Sequence, residues 1–134
     1  MGAWDIGPFD NDDASDWLYD LEESSDTSVI ADTLEAVTDA GDDYLEAPDC
    51  STALAAAEIV AALRGHPLPN LPDEAKTWTE ANEGLDVSSL VPEALAAVKR
   101  IRTNSELKEL WDESSEAAKW HATLDDLSSR LKVQ

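Results

Sequence analysis

Asp10, Asn11, Asp12, Asp13 and Asp16 form the first group of residues that could do chemistry, an oxygen-rich run of the sort that holds calcium. An EF-hand loop beginning at Asp10 would need an acid at its fifth position, glycine at its sixth and glutamate at its twelfth. Ala14, Ser15 and Leu21 stand there instead, so the motif fails. Helix capping accounts for the run, because exposed backbone N–H groups at a helix start favour carboxylates. Cys50 is the only cysteine, and His66 and His121 are far from it and from each other in the chain. Neither a zinc signature nor a phosphate-cradling glycine loop is present, and no cofactor is expected. Cys50 at a helix start could have a lowered pKa and pair with a histidine as a nucleophile, but no group to orient such a pair is visible. Glu58 is the one carboxylate singled out as perturbed. It is the sole ionisable group in the apolar stretch Ser51–Leu63. Burial would raise its pKa unless a base such as Arg100 pairs with it. Alternatively, Ser51, Ala55, Glu58 and Ala62 share a helical side that faces solvent.

The elements that position these residues are all helical by spacing. Ala14, Trp17, Leu18 and Leu21 fall at i, i+3, i+4 and i+7, with Asp10 as N-cap and Phe9 able to staple onto Ala14. A second helix is expected from about Thr27 to Ala40, with Ile30, Leu34 and Val37 inward and Gly41 as its left-handed stop. After an irregular link over Asp42–Asp49, Ser51–Leu63 is apolar nearly all round, the mark of a central helix. Pro67, Pro69 and Pro72 make a stiff connector. Asp73 can cap a helix to about Glu83 with Ala75, Trp78 and Ala81 at helical spacing, and Ser89 can cap another over roughly Leu90–Arg102 with Leu95, Val98 and Ile101 inward. Thr103–Glu106 fits a capping box. Leu110, Ala117, Leu124 and Leu131 then recur every seven residues, predicting one long helix or two joined near Asp112–Ser115. No strand-like alternation appears. The expectation is a single all-α domain of about six helices over residues 1–134.

Charge is the dominant compositional fact. The chain of 134 residues carries 30 Asp+Glu against 9 Lys+Arg, a net of −21. Residues 1–63 hold 17 acids and neither lysine nor arginine; the first base is Arg64. Such a surface disfavours direct binding to nucleic acid or to anionic membranes, which need a positive face. At 43% apolar with five tryptophans, the chain can still bury a core. The N-terminus has no basic region followed by an apolar run, so no secretory signal is expected. With a lone cysteine as well, a cytoplasmic location is expected.

The segment MGAWDIGPFDNDDASDW resembles the opening of a bacterial family known as domain of unknown function 4259, whose members begin MG-x-W-x-x-GPFDND-x-A-x-DW. Trp4, Gly7, Pro8, Phe9, Asp10 and Trp17 are among the matching positions. Ala56-Ala57-Glu58, Gly65 with the proline turn, Asn104–Leu107 with Leu110-Trp111, and Trp120 extend the likeness over most of the chain. The resemblance implies a fold unit and carries no activity with it. Physically, Trp4 and Phe9 would anchor, Gly7-Pro8 would turn and Asp10 would cap.

The leading functional expectation is a small non-enzymatic interaction or inhibitor-like protein that meets a basic partner protein through its N-terminal half. The residues expected to carry this are Asp12, Asp13, Asp16, Asp20, Glu22, Glu23, Asp32, Glu35 and Asp39, since opposite charge speeds encounter and rejects wrong partners. Two rival readings stand beside it: a carboxylate- or divalent-metal-dependent hydrolase, and acidity that serves only solubility or a salty cytoplasm.

Overall fold

The computed structural model describes residues 12–41, 43–69 and 71–132. Trp4, Gly7, Pro8, Phe9 and Asp10 therefore lie outside the described residues, and with them the expected cap and staple of the first helix.

Seven α-helices and no strand are found among the described residues. They are α1 (Asp12–Glu22), α2 (Ser28–Thr38), α3 (Ala47–Leu63), α4 (Asp73–Ala81), α5 (Val91–Thr103), α6 (Glu106–Asp112) and α7 (Ala117–Lys132). The architecture follows from α3. Cys50, Ala53, Ala55, Ala56, Ala57, Ile59, Val60 and Ala61 are fully buried, and each of the other six helices packs on α3. Small side chains all round one helix let several neighbours approach its axis, because interhelical distance is set by the side chains at the contact. Around it, α1 presents Ala14, Trp17, Leu18 and Leu21, and α2 presents Ile30, Leu34 and Val37, as their spacing predicts.

Helix ends are decided by local chemistry, and several differ from expectation. α3 begins at Ala47 rather than Ser51, because Pro48 is tolerated in a first turn. Its end is a Schellman motif: the His66 amide donates to the Ala61 carbonyl (2.9 Å) and the Gly65 amide to that of Ala62 (3.0 Å), with Gly65 at φ +91°. At the start of α2 the capping carboxylate is Asp26, which accepts from the Ser28 amide (3.0 Å) and hydroxyl (2.6 Å). Those two hydrogen bonds hold its carboxyl below the usual aspartate range. Asp73 is inside α4 and caps nothing; Pro72 precedes it. Ala81 is exposed, whereas Thr79 is buried. Ser89 does not cap α5. A 3-10 turn over Ser88–Leu90 comes first, with Asp86 accepting from the Ser88 amide and hydroxyl. Leu95 is only half-buried, and Ala94 and Ala97 take the inward positions beside Val98 and Ile101.

The expected capping box at 103–106 is replaced by a single cap. Ser105 Oγ accepts from the Lys108 amide (3.1 Å) and donates to the Ile101 carbonyl (2.6 Å). Glu106 turns instead to α3, where it accepts from the Ala47 amide (2.8 Å). Ser105→Ala removes a buried cap shared by two helix ends and is expected to lower stability by about 1–2 kcal/mol, measured by urea unfolding.

The C-terminal region is two helices. Ser114 Oγ donates to the Trp111 carbonyl (2.8 Å) and accepts from the Glu116 amide (3.1 Å), so a hydroxyl competes for backbone groups at the break. The break shifts the register: Trp111 is buried and Leu110 and Ala117 are not, while Trp120, Leu124, Leu127 and Leu131 face the core from α7.

Candidate functional site

Trp17, Leu18 and Leu21 point inward from α1, so their helical neighbours point out. Asp12, Asp16, Asp20 and Glu22 are exposed, as is Glu23 just beyond the helix, and Asp13 is half-buried. On α2 the same logic exposes Asp32 and Glu35, with Asp39 exposed at its end. The two helices touch, and the Trp17 indole N–H donates to Thr33 Oγ1 across the seam (2.8 Å). All nine carboxylates singled out from the sequence thus lie on or at the ends of two neighbouring helices. Among the described residues none of them forms an ion pair.

Sequence reasoning missed further acids on this side of the molecule. Glu93 on α5 has its carboxyl pushed up by burial and then by the charges of Glu35 and Asp39. That coupling places a carboxylate from the second half of the chain against those of α2. Asp73 and Glu74 arrive the same way, since α4 packs on α1. Both belong to the half that looks nearly neutral by composition.

Among the described residues, Arg100, Arg102, Lys108, Lys119 and Arg130 are engaged away from these nine carboxylates. Arg100 donates to the backbone carbonyls of Gly41, Asp43 (2.7 Å) and Asn104 (2.9 Å), stitching α5 to the link after α2. It is not the partner of Glu58. That role belongs to Arg130 on α7, whose guanidinium meets the carboxylate through two bonds, Nη1–Oε1 at 2.7 Å and Nη2–Oε2 at 2.9 Å. Arg130 also donates to Asp126 (2.8 Å) and to the His66 carbonyl (3.2 Å). Glu58 is 0% exposed, so the solvent-facing alternative does not hold. Burial raises its carboxyl above the ordinary glutamate value, and the hydrogen bonds and charge of Arg130 pull it part of the way back. Burial opposes the charge on Arg130 too, but Glu58 and Asp126 outweigh it and hold the guanidinium more firmly protonated. The pair ties the middle of the central helix to the last helix and to the turn between α3 and α4.

Cys50 is fully buried, and burial pushes its thiol up to about 11, away from the thiolate a nucleophile needs. His121 is occupied by Asp112, Nε2 to Oδ1 at 2.9 Å, and the Lys108 ammonium pairs with the same carboxylate. Among the described residues no three His, Cys, Asp or Glu side chains are grouped to hold a metal ion, and no helix is long and apolar enough to cross a membrane.

These features define a compact all-helical protein with an unpaired acidic side and one internal charge clamp. Residues 2–123 match the family described as domain of unknown function (DUF4259), and the chain belongs to that family. No curated protein and no solved structure matches it.

Proposed function

We propose that the protein is an interaction module of the cytoplasm whose α1–α2 side engages a basic partner protein, in the manner of an inhibitor or immunity protein. The observation that carries this reading is the set of nine acids on two touching helices with no ion pair among the described residues. Like charges held together on one side weaken the fold through self-repulsion, and a basic partner relieves that repulsion on binding. α3, on which both α1 and α2 pack, supplies a firm base for such a surface.

The test compares the intact protein with a D16N/D20N/D32N/E35Q variant as bait in a cell extract. A basic protein retained by the intact bait at low salt, released at high salt and missed by the variant is the expected result. Equal capture by both baits would sink the proposal. The same self-repulsion makes a separate prediction for the free protein. Its melting temperature rises as salt approaches about 0.1 M, where the screening length falls to about 10 Å. The neutralised variant gains less in the same thermal melts.

A further inference from the structure

A groove of 520 Å³ runs between the end of α1 and one face of α4. Trp78, Ala81 and Ser24 are among the residues that line it, with Glu22, Asp73 and Glu74 bringing carboxyl groups. Trp78 is held in place by two hydrogen bonds: its indole N–H donates to the Ser24 carbonyl (2.9 Å), and Asn82 donates to the Trp78 carbonyl (2.8 Å). Glu22, Asp73 and Glu74 are exposed, and none has an ion pair among the described residues. Lys76, the only base of α4, lines an adjoining concavity together with Asp73, Pro67 and Leu68, and among the described residues it forms no ion pair with the groove's carboxylates.

We propose that this groove is the anchor point for one lysine or arginine side chain on a basic segment of a partner protein. The inference rests on the interaction reading above and gives it a specific contact. A long basic side chain has an aliphatic stem that covers apolar surface and a charged head that reaches carboxylates. Other occupants fit the charge poorly. Residues 1–11 of this chain carry Asp5 and Asp10 and neither lysine nor arginine. A second copy brings another −21 toward the same acidic rim.

The probe is a hexa-arginine peptide, with hexa-citrulline as its uncharged counterpart of nearly the same shape. Each is titrated into ¹⁵N-labelled full-length protein at low salt. The expected result is movement of the Trp78 indole N–H resonance with hexa-arginine and none with hexa-citrulline. E22Q/E74Q, which alters only exposed side chains, weakens hexa-arginine binding by about three- to tenfold, as two exposed charge pairs allow. D32N/E35Q, which removes equal charge from α2, weakens it by less. A static Trp78 resonance while α1 and α2 amides move overturns the groove but leaves the interaction reading standing. So does equal weakening by both variants. Equal movement with hexa-citrulline overturns the cationic occupant. No binding of hexa-arginine anywhere overturns both proposals.

Discussion

Arg130→Ala lowers the stability of the protein at neutral pH by about 3–5 kcal/mol, the range seen when one partner of a buried ion pair is removed. The effect comes less from the lost contact than from what stays behind. Glu58 sits at 0% exposure in the middle of the central helix, and Arg130 supplies both of its side-chain hydrogen bonds. Without the guanidinium the carboxylate must remain charged in an apolar setting or take up a proton. The pH dependence separates these outcomes. Glu58 already has a folded pKa above its ordinary value, because burial outweighs Arg130. A carboxyl raised in this way contributes stability that is present below the unfolded pKa and is lost as pH rises through the folded one. Removing Arg130 raises the folded value further. The gap between variant and parent is therefore widest at neutral pH and narrows as pH falls toward the ordinary glutamate range. Urea unfolding at a series of pH values measures it. A gap that does not change with pH would mean that Glu58 is not the source. Glu58→Leu combined with Arg130→Met recovers most of the loss, since a buried pair replaced by apolar groups of similar volume is often neutral or stabilising.

Trp120→Ala lowers stability by a similar amount, about 3–5 kcal/mol, through a cavity rather than a charge. The side chain is 1% exposed and belongs to α7, which packs on α3 and α5. The break at Ser114 sets the register that turns Trp120 into the core, so the residue reports on the two-helix arrangement of the C-terminal region. Trp120→Phe keeps a ring in the space and loses less. Tyr19→Ala is the control: at 66% exposure on α1, it stays within about 0.5 kcal/mol of the parent. The Trp120 loss is independent of pH, which distinguishes it from that of Arg130 in the same unfolding series.

Much of the fold was legible because helical spacing is a local property. The stripes of α1 and α2 and the all-round burial of α3 follow from residue types at fixed intervals, and the structure places them as spaced. Helix boundaries were less legible, since they turn on which of several polar side chains wins a backbone donor. Asp26 caps α2, Ser105 rather than a capping box starts α6, and Ser114 splits the last two helices. Each of those choices depends on where neighbouring elements leave a polar group free. Glu106, for example, is drawn away to the Ala47 amide on α3.

Charge shows the same division at the level of the surface. The amino-acid sequence by itself determined an all-helical chain, a central alanine-rich helix, a net charge of −21 and a first half without a base. It also marked Glu58 as the one ionisable group in that central helix. Only the tertiary structure decided which base meets it: Arg130, distant in the chain, rather than Arg100, which is spent on backbone carbonyls. Only the tertiary structure added Glu93 beside Glu35 and Asp39, and Asp73 and Glu74 beside Glu22. The physical reason is range. Helix periodicity and capping act over a few residues, whereas electrostatic partners are chosen by distance in space, which chain order does not encode.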